Sequence, residues 1–328
     1  MVSYYVGPMR RASLNSFVGL VGAVVLLLSS TDIVVSAEPA EWEKLNEEAM
    51  ALLHRWLYDR GVVAAKDAVE AAEAVMGADD LGLAECLNTL AELYRVQGHY
   101  SQAEPLFLRS LTIREKVLPP GSSTLATGFN NLALLYNDQG KFARAESLLR
   151  RALTIHEKAL GPDHPAVATC LNNLALLYFT HRDYTEAAPL FQRSLAIEEK
   201  ALGPNDPGLA KGLSNLANLC AIQRKEPEAE QLYKRAIAIQ EKVLGADHPE
   251  LAATLNNLAM LYEGQSKHDQ AEPLFKRAVA IEEKAFGSSH PDLAIALENL
   301  ARLYRTTGRG KEARDLVKRA AAIRAVKR

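Results

Sequence analysis

A block of 42 residues recurs six times from Met76 to the C-terminus, without one insertion or deletion. The copies begin at Met76, Leu118, Leu160, Leu202, Leu244 and Phe286. A chain with such a fixed period builds a stack of similar units, each of which buries its apolar face against its neighbours. The period therefore predicts a fold whose functional residues lie on a surface and not in a single pocket.

Each copy contains two helical patterns. In the third copy, Ala168, Leu171 and Leu174 follow the spacing that places apolar side chains along one stripe of a helix. This pattern predicts a first helix from about Val167 to Tyr178. A second pattern predicts a helix from about Thr185 to Ala201.

Glycine and proline mark the predicted ends of these helices. Glycines that tolerate positive φ occupy the turn inside a copy at Gly98, Gly140 and Gly308. Other glycines are expected to end the second helix, at Gly203, Gly245 and Gly287. Prolines are expected to start the next first helix, at Pro165, Pro207, Pro249 and Pro291. Capping-type residues precede that start, at Asp163, Asn205, Asp247 and Ser289.

Small residues recur in register where two helices must approach closely. The first helices carry Ala91, Ala133, Ala175, Ala217, Ala259 and Ala301. The second helices carry Ala103, Ala145, Ala187, Ala229, Ala271 and Ala313. These two columns are expected to form the helix–helix interfaces of the stack.

The motif formed by Leu174, Ala175 and Tyr178 in the first helix, followed by Ala187 and Phe191 in the second, resembles the tetratricopeptide repeat signature. The 42-residue period and the LGPDHP-type linker are similar to the kinesin light chain subtype in particular. This resemblance implies an all-α fold, a right-handed superhelical solenoid of antiparallel helix hairpins, with six repeats over 76–328. It also implies a concave face that binds protein segments, and it implies no chemistry.

Residues 38–75 fit the same frame without gaps, so we interpret them as a degenerate N-terminal repeat or cap. Both tryptophans of the chain, Trp42 and Trp56, lie in this segment. Terminal repeats are atypical because one of their faces meets solvent or a partner. The tryptophans are therefore expected to pack in the cap, and a binding hot spot is the alternative.

Residues 1–37 have the pattern of a secretory signal peptide. Arg10 and Arg11 precede an apolar run over 17–28, and Val35-Ser36-Ala37 supplies small residues before Glu38. The run is shorter than the roughly 17–25 apolar residues of a membrane span. The sequence thus predicts an exported protein, periplasmic or extracellular after cleavage. The alternative is an uncleaved anchor that tethers the protein to a membrane.

Charge is unevenly distributed along a chain whose net charge is only −2. Residues 38–92 contain 13 acidic and 4 basic residues, whereas residues 302–328 contain 10 basic and 2 acidic residues. Two oppositely charged, solvated ends are the simple interpretation. A head-to-tail homo-oligomer is the alternative. We expect no nucleic-acid binding, because only Tyr304 offers a stacking group near the basic end.

No residue pattern favours catalysis, a metal or a cofactor. The chain has no histidine–glutamate metalloprotease motif, no glycine-rich phosphate loop and no nucleophile elbow. His164, His248 and His290 recur in the linkers without accompanying ligands at a repeating spacing, so capping or linker packing is expected for them. The three cysteines, Cys86, Cys170 and Cys220, are expected to be small buried thiols.

The candidate binding surface is the stripe of each first helix that does not serve packing, and its centre is rich in amides. The amide residues are Asn88, Asn130, Asn131, Asn172, Asn173, Asn215, Asn256, Asn257 and Asn299. The residues expected to set specificity include Leu134, Phe179, Met260, Arg302 and Arg305. Side-chain amides both donate and accept hydrogen bonds, which suits them to holding a peptide backbone. An amide ladder between neighbouring first helices is an equally open alternative.

The sequence thus favours a non-enzymatic scaffold or adaptor that binds an unidentified protein or peptide in a concave groove. The alternative is a self-assembling structural solenoid that uses its acidic and basic ends. The sequence names no partner.

Overall fold

A computed structural model describes residues 40–55, 57–288 and 290–325. All regular secondary structure in these ranges is α-helical, in fourteen helices. They are α1 (Glu41–His54), α2 (Tyr58–Val75), α3 (Leu81–Val96), α4 (Tyr100–Val117), α5 (Ser123–Asp138), α6 (Phe142–Leu160), α7 (Pro165–Thr180), α8 (Tyr184–Leu202), α9 (Leu209–Ile222), α10 (Glu226–Leu244), α11 (Pro249–Gly264), α12 (His268–Phe286), α13 (Pro291–Thr306) and α14 (Gly310–Ala325). The prediction of an all-α fold of helix-hairpin repeats is confirmed. The predicted signal segment 1–37 and Trp56 lie outside the described residues.

The described helices divide into two compact units, residues 40–177 and 178–325, with the division falling inside α7. We call them the N-terminal unit and the C-terminal unit. Within each, consecutive helices pair as hairpins, such as α3 with α4 and α11 with α12. The odd-numbered helices are the first helices of the repeats, and the even-numbered ones are the second helices.

The first helices form the tighter of the two layers in each unit. The pairs α1–α3 and α3–α5 are in contact in the N-terminal unit, as are α9–α11 and α11–α13 in the C-terminal unit. Among the described helices, no two consecutive second helices approach each other as closely. Within each unit the first helices therefore line the concave side, which we call the inner face.

The alanine columns allow this close approach. Every alanine of the first-helix column is completely buried, from Ala91 to Ala301. In the second-helix column all six are at most 2% exposed, from Ala103 to Ala313. A larger side chain at these positions would separate the helices, since packed interiors leave little free volume.

The turn inside each repeat requires a left-handed backbone. Gly98, Gly140 and Gly308 have φ of 80°, 71° and 78° there. In the other repeats Arg182, Arg224 and Ser266 adopt the same conformation, with φ of 65°, 63° and 60°. These three residues lack glycine's freedom at positive φ, so their turns carry backbone strain.

The linker caps fall one residue later than the sequence indicates. N-terminal amides of α7, α11 and α13 are capped by His164, His248 and His290, each of which accepts from the backbone two residues on. Asp206 makes the same bond to Gly208, just before the start of α9. Asp163, Asn205, Asp247 and Ser289, which we expected near the cap, immediately precede these residues. The expected start of α9 at Pro207 is also wrong, because that helix begins at Leu209.

The first hairpin covers the N-terminal edge of the stack. Trp42 packs against a buried cluster that includes Ala68, Ala72 and Leu83. None of the helices in the described ranges is long and apolar enough to cross a membrane.

Candidate functional site

The predicted binding residues differ widely in exposure. Half-buried ones are Asn88, Asn131, Leu134, Asn215 and Arg302. Buried ones are Asn130, Asn172, Asn173, Phe179, Asn256, Asn257, Met260 and Asn299. Arg305 is exposed. The inner face therefore offers only part of the predicted set to a ligand in this conformation.

Asparagines of neighbouring first helices hydrogen-bond to each other in the N-terminal unit. Asn131 Nδ2 of α5 donates to Asn88 Oδ1 of α3 over 3.0 Å. Asn173 Nδ2 of α7 donates to Asn130 Oδ1 of α5 over 2.9 Å. Each bond joins residues that are 43 positions apart. The amide ladder that the sequence left open is present here.

The C-terminal unit has the same ladder with one diverted rung. Asn299 Nδ2 donates to Asn256 Oδ1 over 3.0 Å at the usual separation of 43 residues. Asn257 Nδ2 instead donates to Asn218 Oδ1, 39 residues earlier, over 3.1 Å. The diversion follows from Ser214, which stands where the other repeats have the accepting asparagine. The Ser214 hydroxyl donates to the Ala210 carbonyl of its own helix.

The predicted apolar residues of the stripe do not share one environment. Phe179 is 4% exposed and packs edge-on against Tyr184 and Phe191. Met260 is 1% exposed, and Asn256 Nδ2 lies 3.6 Å from its sulfur. Leu134 is half-buried on α5 and is the member of the three that can contact a ligand without rearrangement.

Two arginines of the stripe, Arg95 and Arg302, are engaged within the inner face, whereas Arg305 is exposed. Arg95 is 2% exposed and binds both Glu92 of its own helix and Asp138 of α5. Arg302 of α13 binds Glu263 of α11 through two nitrogens. Such paired guanidinium groups fix the spacing of neighbouring first helices and offer little net charge to a ligand.

Sequence reasoning missed a column of polar residues on the second helices, of which four are buried and one, Glu198, is half-buried. We call it the junction column, since each member lies where a second helix meets the first helix of the next repeat. It consists of Arg114, His156, Glu198, Gln240 and Glu282. The signal was available in the sequence: a polar residue recurs next to the buried isoleucine column, at Ile113, Ile197, Ile239 and Ile281.

The environments of the junction column are distinct. Burial lowers the pKa of Arg114, and nearby Glu85 acts in the opposite direction. Burial lowers the pKa of His156, whose Nδ1 lies 3.3 Å from the Ser123 hydroxyl. Gln240 Nε2 donates to the Glu250 carbonyl oxygen over 3.3 Å. The column thus places basic, acidic and neutral polar side chains at equivalent junctions.

One group of side chains in the described ranges has metal-ligand chemistry. Ligand atoms of Glu282, His290 and Asp292 lie within 4.8 Å of one another. His290 Nδ1 accepts the Asp292 backbone N–H, as His248 Nδ1 accepts that of Glu250. The histidine role expected from the sequence, capping, is confirmed at both positions.

The three cysteines are buried free thiols, as expected. Burial raises the pKa of Cys86 and of Cys170 to about 12, and that of Cys220 to about 11. Since the thiolate is the nucleophile, these cysteines are unreactive near neutral pH.

Solved structures share this architecture. A kinesin light chain-type protein of Podosopora anserina with nearly identical TPR-like repeats is 30% identical, with a TM-score of 0.53, over 63% of this chain and 97% of that one. A Rap protein complexed with competence and sporulation factor is 17% identical, with a TM-score of 0.61, over 87% and 78%. The Rap conjugation gene regulator of plasmid pLS20, in complex with a Phr peptide, is 14% identical, with a TM-score of 0.64, over 86% and 73%. At these identities the two Rap structures show the fold alone.

Comparison with curated proteins gives no match. The tetratricopeptide repeat family model matches residues 43–116, 124–200, 182–242, 208–284 and 264–325, which together span nearly all of the described chain. The protein belongs to the tetratricopeptide repeat family, and its 42-residue repeats are of the kinesin light chain-like type.

Proposed function

We propose that the protein is a scaffold or adaptor that binds an extended segment of a partner protein on the inner face of its first helices. The observation that carries this proposal is the tight layer of first helices, whose side chains between the packing columns stay accessible. Thr127 is exposed on α5, and Asn131 and Leu134 of the same helix are half-buried. A concave row with an aliphatic group between polar ones suits a peptide with spaced apolar anchors.

The amide ladder contributes to this surface by holding it in shape. Asn131 Nδ2 is used in the bond to Asn88, so a peptide meets the remaining polar atoms of a preformed face. Preorganisation of this kind reduces the ordering cost of binding. The ladder and the binding role, which the sequence left as alternatives, are therefore compatible.

Solved structures with this fold support the proposed class of partner, a protein or peptide. One solved Rap structure is a complex with competence and sporulation factor, and another is a complex with a Phr peptide. Those ligands are properties of those proteins. For this chain they support a protein or peptide as the class of partner.

Site-specific photocrosslinking in the native host tests the proposal. A photoreactive residue at Leu134 should form a discrete adduct with one partner, because this side chain faces the inner surface. The matched control is Leu108 of α4, which is 42% exposed on a second helix. Equal adducts from Leu134 and Leu108 would exclude the inner face as the binding site. The absence of an adduct from all three inner-face positions, Leu134, Thr127 and Lys211, would exclude it as well.

We further propose that the protein acts outside the cytoplasm, after removal of residues 1–37. The support is the arrangement of Arg10, Arg11, the apolar run over 17–28 and the small residues before Glu38. The mature protein should begin at Glu38, which intact mass and N-terminal sequencing of the native protein will show. A mature chain that retains residues 1–37 and sediments with membranes would establish the anchored alternative.

A further inference from the structure

Glu198 of α8 is a junction-column residue with an unusual neighbour. Its carboxyl group lies against α9 at Gly212, where a Cβ atom would sit 2.8 Å from Glu198 Oε2. Oε2 is fully buried and receives no hydrogen bond from the described residues. The carboxyl group is therefore packed against bare helix backbone.

The glycine opposite the carboxyl group is explained by this contact. Glycine weakens a helix interior relative to alanine, so its presence in α9 needs a packing reason. A side chain at position 212 would also lie 3.5 Å from Leu195 Cδ1. The N-terminal unit repeats the arrangement with the opposite charge: Arg114 Nη1 lies 3.3 Å from the Cβ position of Gly128. At these two junctions a large charged group is thus accommodated by glycine on the next first helix.

The charges around Glu198 do not neutralise it fully. Burial raises the pKa of its carboxyl group to about 7, and Lys211 of α9 acts in the opposite direction. The neighbouring Glu199 is occupied by Arg235 of α10. The first helix of the same repeat, α7, has no charged residue in its sequence. Lys211 is therefore the charged group that faces Glu198 from the elements around it.

We propose that the contact between α8 and α9 is a pH-dependent joint, closed when Glu198 is a neutral acid and weakened when it is a carboxylate. Because Oε2 is buried without a hydrogen bond, a negative charge on the carboxyl group is costly, so ionisation favours a conformation that returns the group to water. Because α9 is a first helix, opening of this joint changes the inner face of the C-terminal unit. The inference does not depend on what that face binds.

The direction in which pH shifts the joint follows from the pKa of Glu198 in the open and the closed joint. A carboxyl group exposed in the open joint has the ordinary pKa of 4.5, whereas in the closed joint the pKa is about 7. Between these values the closed joint keeps a proton that the open joint has lost. The ratio of open to closed joint therefore rises by up to about tenfold for each pH unit in this window. It is constant below the window and again above it.

Amide hydrogen exchange of the full chain tests the joint. After correction for the intrinsic pH dependence of exchange, protection of 209–222 should fall by roughly 40-fold between pH ~5 and pH ~7. The Glu198→Gln variant should keep the high protection at both pH values. Glu199→Gln is the matched control, because that exposed, ion-paired neighbour should leave the wild-type pH dependence unchanged.

Two further measurements make the proposal falsifiable even if a variant folds poorly. Carbon-detected NMR titration of the wild-type chain should place the Glu198 carboxyl midpoint near 7, and a midpoint near 4.5 overturns the proposal. Gly212→Ala should displace the carboxyl group and remove the pH dependence of exchange in α9. An unchanged pH dependence in both Glu198→Gln and Gly212→Ala likewise overturns it.

Discussion

The interior repeats and the two end repeats use the same frame in different ways. In the interior, the position after the recurring second-helix leucine is aromatic or leucine and at most 2% exposed, at Phe107, Leu149, Phe191, Tyr233 and Phe275. In the last repeat the same position is Val317, which is 40% exposed. This position of the repeat is buried only when a further repeat covers it. The contacts between repeats, and not those within a single hairpin, therefore stabilise the stack.

The N-terminal end shows the same change on the first helix. Leu83, Leu90 and Leu93 of α3 are buried, whereas their equivalents in α1 are Glu41, Glu48 and Ala51, all exposed. Because glutamate replaces leucine at two of these positions, the outer face of α1 is polar and can be exposed to solvent. This explains part of the acidic excess at the start of the chain. It also weakens the case for an apolar contact between copies at this end.

The asparagine ladder also stops short of both ends. Its first acceptor is Asn88 and its last donor is Asn299 in the described ranges. Before it, Asn46 Oδ1 is buried and receives no hydrogen bond from the described part of the chain, because Thr89 stands where the donor would be. After it, Glu298 takes the acceptor position and binds Arg324 instead. The ends therefore lack both the aromatic column and the amide rungs.

The largest expected effect tests the aromatic column. Phe275→Ala should lower the free energy of unfolding by about 3–5 kcal/mol, since it leaves a cavity at a fully buried junction. Val317→Ala should change it by less than about 1 kcal/mol, because the side chain is already exposed. Urea unfolding followed by circular dichroism measures both. Similar losses for the two variants would show that interior and end positions are equivalent after all.

The next effect tests the ladder in the interior. Asn173→Ala should cost about 1–3 kcal/mol, because it leaves Asn130 Oδ1 with only the weak bond from the Cys170 thiol, 3.9 Å away. Asn257→Ala should cost less, because Tyr233 still donates to Asn218 Oδ1. Thermal and urea unfolding of both variants decide this. A loss of partner binding with unchanged stability in Asn173→Ala would instead assign the asparagines to the ligand.

The period alone sufficed to predict the helices, the alanine columns and the left-handed turns, because each depends on contacts that every repeat makes again. The register of the ladder could not be read from the sequence. A bond between Asn131 and Asn88 depends on how far one first helix slides along the next. The burial of Phe179 and Met260 depends equally on how closely the helices approach, which no spacing pattern specifies.

The junction column was missed for a different reason. Glu198 and His156 lie on second helices, whereas the amide-rich pattern that predicts a binding surface lies on the first helices. A polar residue beside a buried isoleucine was a signal within reach of the sequence. The raised pKa of Glu198 could not be predicted from that signal, since it arises from burial of the carboxyl group against Gly212.

A smaller effect should follow from extending the ladder to the first repeat. Thr89→Asn places a donor 43 residues after Asn46, the separation that the interior rungs use. A new buried hydrogen bond to Asn46 Oδ1 should raise the free energy of unfolding by about 1 kcal/mol. Thr89→Val is the control, and it should be nearly neutral. A destabilised Thr89→Asn variant would mean that the first hairpin does not have the register of the interior.

The smallest effect concerns a turn that the six repeats over 76–328 share, including the last one. Ser266 adopts φ of 60° where Gly308 in the last repeat has φ of 78°. A left-handed backbone costs an L-residue roughly 1–2 kcal/mol, and glycine avoids this cost. Glycine also loses more conformational freedom on folding, which offsets part of the gain. Ser266→Gly should therefore stabilise the protein by about 0.5–1 kcal/mol. Gly308→Ala should destabilise it by a similar amount, and differential scanning calorimetry resolves both shifts. If the two substitutions change the stability by equal amounts in opposite directions, the energy of the turn does not depend on whether another repeat follows. A larger loss at Gly308 would show that the last hairpin, which has no repeat after it to hold it, depends more on its own turn.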